Sequence, residues 1–232
     1  MRRNGESAPG VLSFLASVPL FADLSESSLL SLAQQCTFQD VEKGDILFLQ
    51  SDTSDAAYIV RQGSISIVLH SSDGREMVIS EMHTGDLLGE LGILTKKSHS
   101  TSAIARTKSE VLVIPGRLFR RIIENEHKIA LRLLELIAER LQISGQRESA
   151  LAFMDAQARL ARLLLELEEQ EHDKGYVTVS QDELAQRAGL IRQTVAKALG
   201  KWRRAGWLIT GRGRILILNR KALEDLKNNL VV

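Results

Sequence analysis

The densest run of chemistry-bearing residues in this chain lies between Ser180 and Arg214. Ser180-Gln-Asp-Glu183 has the form of a capping box: the Ser180 hydroxyl accepts from the Glu183 backbone N–H and the Glu183 carboxylate reaches back. It predicts a short helix with Leu184 and Ala185 turned inward. Ala188-Gly189-Leu190 reads as a tight turn, since Gly189 can take positive φ. A second helix is expected from about Ile191 to Arg204. Val195, Ala198, Leu199 and Trp202 face its core side, which leaves Arg192, Gln193, Lys197, Lys201 and Arg204 outside. Two short helices joined by a glycine turn, the second basic on its outer face, make a helix-turn-helix whose second helix enters the major groove of duplex DNA. There Arg192 has the fork to bond guanine O6 and N7, and Gln193 can pair with adenine or accept from cytosine N4. Thr194 and Lys197 are placed for phosphate or a further base, with Ser180 and Lys201 counted in the same DNA-facing set. Trp207 to Leu218 reads as strand, glycine turn and strand, a wing whose Arg212 and Arg214 would touch phosphates and so position without reading sequence.

Charge agrees with that assignment. The formal net charge is +1, but residues 1–155 carry 16 Lys/Arg against 20 Asp/Glu and residues 156–232 carry 14 against 9. Leu184 to Leu223 holds ten Lys/Arg and no acid, which fits a polyanionic partner. Other chemistries find no support. There is no Gly-x-Ser-x-Gly elbow, no His-Glu-x-x-His, no Cys-His pairing around Cys36 and no phosphate loop with Lys-Ser/Thr, so no catalytic residue and no metal ligand is assigned. Gly211-x-Gly213 lacks the third glycine and the strand-to-helix step of a nucleotide loop. One cysteine, read as a half-buried strand residue, excludes a disulfide framework within one chain and fits a reducing cytoplasm. No apolar run nears the ~20 residues of a membrane span, so no membrane partner is expected. Met1 to Pro9 lacks the apolar core of a signal peptide.

The elements that must carry this head follow from periodicity. Val11 to Gln35 has helical spacing and predicts one or two short helices. Short apolar or alternating runs then follow: Ile46–Leu49, Ala57–Val60, Ile65–Leu69, Met77–Met82, Ala103–Ala105 and Val111–Ile114. Gly/Asp turns separate them, with Gly44, Gly63 and Gly85 at roughly twenty-residue intervals, so the strands are expected to stack as a roll. From Glu124 toward Phe153, Ile129, Leu133, Leu136, Ile137 and Leu141 repeat at three and four. So long a striped helix needs a partner surface: part on the β domain, the rest on its own copy as a parallel pair. Asp155 to Glu171 predicts a further helix and Tyr176 to Val179 a strand.

Gly85-Asp86, Leu88-Gly-Glu-Leu-Gly92, Arg140-Leu-Gln142, Leu151-Ala-Phe-Met-Asp155 and Ser180 to Leu199 with its Arg-Gln-Thr-Val occur in an order and spacing that resemble the CRP/FNR superfamily (catabolite activator protein type) over nearly the whole chain. The resemblance implies an α+β fold: an N-terminal cyclic-nucleotide-binding-like β-roll (jelly-roll), a long dimerisation helix and a C-terminal winged helix-turn-helix. The expected divisions are a flexible tail at 1–10, an effector-sensing domain at 11–122, a dimerisation helix and hinge at 123–154, and a DNA-binding domain at 155–232. The implied partners are double-stranded DNA with a two-fold symmetric site, a second copy of the chain, RNA polymerase and a small effector.

In the family's cyclic-nucleotide binders a Gly-Glu pair meets the ribose 2′-hydroxyl; it corresponds to Gly89 and Glu90, with Leu91 following. The Arg-Ser or Arg-Thr that grips the cyclic phosphate falls on His99 and Ser100, and the purine-facing Thr on Ser144, followed by Gly145. Loss of the arginine removes a charge-assisted contact of about 1.5–3 kcal/mol, or roughly 10–150-fold in affinity. A protonated His99 would restore part of it, although histidine is mostly neutral at pH 7, as would Lys96 or Lys97 swinging in. No cofactor is firmly implied: cAMP or cGMP is one reading, and a different ligand, haem with His70, His83 or His99, or effector-independent regulation are the others. One cysteine does not fit four-cysteine iron–sulfur sensing. A roll that instead regulates a partner protein would leave the helix-turn-helix unexplained. In the reading helix the family's Arg-Glu-Thr-Val is Arg-Gln-Thr-Val and the preceding Ser is Ile191, which predicts a half-site that keeps the guanine and is relaxed beside it.

Overall fold

The computed structural model describes residues 2–4, 8–71, 74–171 and 174–227. The chain divides into two compact units, Met1–Glu139 and Arg140–Val232.

The first unit runs β1 (Arg2–Asn4), α1 (Ala8–Ser17), α2 (Glu26–Ala33), β2 (Thr37–Val41), β3 (Ile46–Phe48), β4 (Ala56–Gln62), β5 (Ile65–His70), β6 (Glu76–Met82), β7 (Leu87–Leu88), α3 (Glu90–Thr95), β8 (Ser102–Ala105), β9 (Ser109–Pro115), α4 (Gly116–Asn125) and the start of α5 (His127–Phe153). The strands form two antiparallel sheets in the orders β1-β2-β9-β4-β7 and β3-β8-β5-β6. This is the roll expected from the closely spaced runs. One set of buried residues, including Val60, Ile65, Ile67, Leu88 and Val111, forms a core within it. A second core joins Phe38, Ile59 and Leu112 of the strands to Leu15, Phe21, Leu32, Phe119, Ile129 and Leu133 of the helices. Gly63, at φ +88, sits so close to Ser109 that a Cβ would lie 2.3 Å from its Oγ, so that turn admits glycine alone.

Three expectations need correction. The segment read as a loose tail, residues 1–10, contains a strand at Arg2–Asn4 paired with Phe38–Asp40 and the first residues of α1; residues 1 and 5–7 lie outside the described residues. Cys36 is buried at 5% exposure, not half-buried, and burial pushes its thiol up to about 12. The helix expected from Glu124 starts at His127, because Glu126 takes non-helical angles (φ −113°, ψ 89°) and ends α4.

The stripe on α5 also divides. Ile129 and Leu133 are buried in the unit's core and Leu136 and Ile137 pack partly against it. Leu131, Leu134, Leu141 and Ile143 are exposed, at 48 to 71%. α5 is unbroken from His127 to Phe153, and the two units part within it, after Glu139.

The second unit continues with α6 (Ala156–Gln170), β10 (Val177–Thr178), α7 (Gln181–Ala188), α8 (Arg192–Arg204), β11 (Leu208–Gly211), β12 (Arg214–Ile217) and α9 (Arg220–Lys227). Asp155 caps α6 by accepting from the Ala158 N–H at 2.7 Å. The strands order as β10-β12-β11, antiparallel. Leu160, Leu164, Leu184, Val195, Leu199, Trp202, Leu208 and Leu223 close one core among all these elements.

Candidate nucleic-acid interface and effector cassette

The reading head is built from its cap upward. Ser180 Oγ accepts from the Glu183 N–H, and the Glu183 carboxylate accepts from the Ser180 N–H, both at 3.1 Å. Two of the orphan donors at the start of α7 are thereby satisfied. At the other end Gly189 takes φ 63°, ψ 41° and turns the chain into α8. Val195, Ala198, Leu199 and Trp202 are buried. That fixes the rotation of α8, so Arg192, Gln193 and Lys197 are exposed and Thr194 is half-buried.

Arg192 is not free. Its Nη1 lies 3.0 Å from Oδ2 of Asp182, near the start of α7, with side-chain exposures of 67% and 61%. An acid two positions before the acid-free stretch is thus folded onto the residue expected to read guanine. Nothing in the one-dimensional pattern signals this, because the partners are ten residues apart on different helices.

The remaining members of the set separate. Lys201 donates to Gln157 Oε1 on α6 at 3.2 Å, so its ammonium is tied to that helix. Ser180 has its hydroxyl engaged in the cap. In the wing Gly213 (φ +69) makes the turn between β11 and β12, and Arg212 and Arg214 are both exposed. The Arg214 guanidinium lies over the Tyr176 ring, 4.8 Å from its centroid, which limits its motion.

In the first unit, Gly89 (φ +82) precedes α3, and a Cβ there would lie 3.0 Å from the Ala56 carbonyl and 3.2 Å from the Tyr58 ring. Its carbonyl accepts from Ser54 Oγ at 3.1 Å. The cassette loop is therefore pressed against β4, and the carboxylate-bearing Glu90 that follows is buried at 2% exposure. Leu91 is exposed at 47%. His99 is buried at 7% exposure and stacks on Phe48 with ring centroids 3.7 Å apart and planes 10° apart. Burial holds its pKa below the ordinary histidine value, against the raising fields of Asp52 and Asp55. Burial thus disfavours the charged form in which His99 would stand in for the missing arginine, and the ring is engaged in an aromatic stack. Ser100 beside it is exposed. Ser144 is exposed on α5, with its hydroxyl 3.4 Å from Glu148 Oε1.

Among the described residues no three His, Cys, Asp or Glu side chains come together as a metal site, and no helix is long and apolar enough to cross a membrane.

Two family models match: the cyclic nucleotide-binding domain over residues 38–126 and the Crp-like helix-turn-helix domain over residues 158–226. A cAMP-activated global transcriptional regulator CRP of Salmonella typhimurium is 29% identical over 189 residues, covering 79% of this chain and 90% of that one. A CRP-like cAMP-activated global transcriptional regulator of Mycobacterium tuberculosis is 29% identical over 215 residues, 90% of this chain and 96% of that one. The fold is shared with the c-di-GMP responsive global regulator CLP of Xanthomonas campestris, with a TM-score of 0.74 at 23% identity over 83% of this chain and 99% of that one.

Proposed function

We propose, from the premise that the chain belongs to the CRP/FNR superfamily of transcription regulators, that it acts as a homodimer whose paired α8 helices read a two-fold symmetric DNA site under the control of a small effector. One observation carries the reading: Val195, Ala198, Leu199 and Trp202 are buried, which turns Arg192, Gln193 and Lys197 outward together on a stretch without acids. Arg192 reads a guanine, Gln193 relaxes the choice beside it, and Lys197, Arg212 and Arg214 hold phosphates.

Dimerisation is supported by α5. Leu131, Leu134, Ala138 and Leu141 recur at three, four and three residues and are all exposed. That is the a/d spacing of a two-stranded coil. A two-fold symmetric site would present its two half-sites to the reading helices one DNA turn apart, about 34–36 Å.

The effector is assigned to the roll, with Gly89, Glu90 and Leu91 of the cassette and His99 and Ser100 beside it. A cyclic nucleotide would be held by the Glu90 carboxylate and the backbone at the start of α3, without a cationic grip on its phosphate, and so bind weakly. The stacked, neutral His99 favours a second reading, regulation independent of cyclic nucleotide. Isothermal titration calorimetry with cAMP and cGMP up to millimolar separates the two: measurable heat supports the first, none the second. The protein is read as a cytoplasmic regulator that contacts RNA polymerase and carries no catalytic activity of its own.

A gel-shift titration over salt tests DNA binding. The logarithm of the association constant must fall linearly with the logarithm of salt concentration, with a slope of about −0.9 per phosphate neutralised. Failure to bind duplexes at low salt with every effector tried, by a protein that stays monomeric, would reject the reading.

A further inference from the structure

We propose that the groove between α3 and α4 is a binding site for a small molecule carrying two or more phosphates, distinct from the effector cassette in the roll. The concavity holds about 730 Å³, within the roughly 300–1,000 Å³ typical of small-molecule sites. It shares no lining residue with Gly89, Glu90, Leu91, His99, Ser100 or Ser144.

Its charge is the reason for the assignment. Lys96 and Lys97, in the turn after α3, and Arg117, Arg120 and Arg121, on α4, all line it. Two carboxylates, Asp55 and Glu124, oppose them. Residues 1–139 carry 14 Lys/Arg against 18 Asp/Glu, so an acidic unit gathers five of its 14 cations at one concavity. Arg120 is anchored by a hydrogen bond to the Ile93 carbonyl. Among the described residues, Lys96, Lys97, Arg117 and Arg121 form no salt bridge. This contrasts with the same unit's Arg61, Arg106, Lys108 and Arg132, each of which is paired with an acid. Unneutralised like charges held around one hollow repel each other, and a multiply charged anion relieves that repulsion.

The shape and donor types narrow the ligand. Three guanidiniums present flat forks that match phosphate oxygens in pairs, and two ammonium groups add point charges. One phosphate monoester would leave most of these donors unused, so at least two phosphates are required. Pro115, which is exposed, adds an apolar edge for a base or sugar. An acidic protein surface would be met by a flatter patch.

The test uses the full chain and titrates inorganic pyrophosphate and ATP by calorimetry, with and without excess cAMP. Both probes should bind, and cAMP should not displace them. Arg117→Ser combined with Arg121→Ser, and separately Lys96→Gln combined with Lys97→Gln, should each weaken binding about tenfold or more, while Lys43→Gln, an exposed cation that does not line the groove, leaves it unchanged. A thermal melt identifies any variant that fails to fold, in which case the other pair decides. Absence of heat at millimolar pyrophosphate, equal affinity in well-folded variants, or displacement by cAMP would overturn the proposal. So would binding of a polyglutamate peptide, but not pyrophosphate, at the same residues. DNA binding measured on each variant separates loss of this site from failure of the regulator reading.

Discussion

Asp182→Asn should tighten DNA binding, although the residue it removes caps no one else's charge but that of Arg192. In the free protein Arg192 Nη1 sits 3.0 Å from Asp182 Oδ2. To fork onto a guanine, Arg192 must leave or share that partner. Both side chains are more than 60% exposed, so the pair is screened by water and worth about 0.2–1 kcal/mol. Two copies per dimer make the gain about 0.4–2 kcal/mol, or roughly 2- to 30-fold in affinity. Folding stability should move the other way. Asp182 lies in the first turn of α7, where a carboxylate stabilises the helix end by about 0.3–1 kcal/mol. Fluorescence anisotropy with a labelled operator, repeated at several salt concentrations, measures the first effect and thermal denaturation the second. The gain should shrink as salt rises, because the pair is already screened. It should also largely disappear in an Arg192→Ala background, where there is no pair to break. Unchanged or weaker binding by Asp182→Asn would refute the reasoning, as would a gain that survives undiminished without Arg192.

Other consequences can be checked separately. Leu134→Glu with Leu141→Glu places like charges along the exposed seam of α5; sedimentation should report a monomer that has lost DNA affinity while its melting temperature holds. Ser180→Ala removes the α7 cap and should cost about 0.5–2 kcal/mol of stability by denaturant titration, with a smaller change in salt slope than Arg212→Ala in the wing. For His99, the folded pKa lies below the unfolded value. The unfolded state therefore binds the proton first, and the histidine's contribution is fully present above about pH 6.5 and is lost as pH falls toward the folded pKa. Urea midpoints between pH 7.5 and 5 should fall more steeply for the native chain than for His99→Phe, which cannot take up a proton.

Several parts of this molecule are written in local pattern. The capping box, the Gly189 turn and the buried positions of α8 can be read directly because each depends on residues within four positions of one another, so backbone hydrogen bonding and helical period decide them. The six strand runs of the roll were legible for the same reason. The two-residue β7, the strand at Arg2–Asn4 and β2 were not among those runs, since pairing with distant strands, more than their own composition, makes them strands.

Tertiary structure alone decided the rest. Packing put Phe48, fifty-one residues earlier, against the ring of His99, and burial there disfavours its charged form further than the sequence alone implied. The stripe of α5 was expected to divide between the β domain and a second copy, but only packing decided where: Ile129 and Leu133 are buried, and Leu141 and the neighbouring Leu134 are left exposed. Asp182 met Arg192, and the cations of α3's end met those of α4, only once the chain had folded back on itself. Sequence determines what each residue can do within one turn of helix or one strand. Which charges are neutralised and which apolar faces stay open depends on distances between segments that no local spacing encodes.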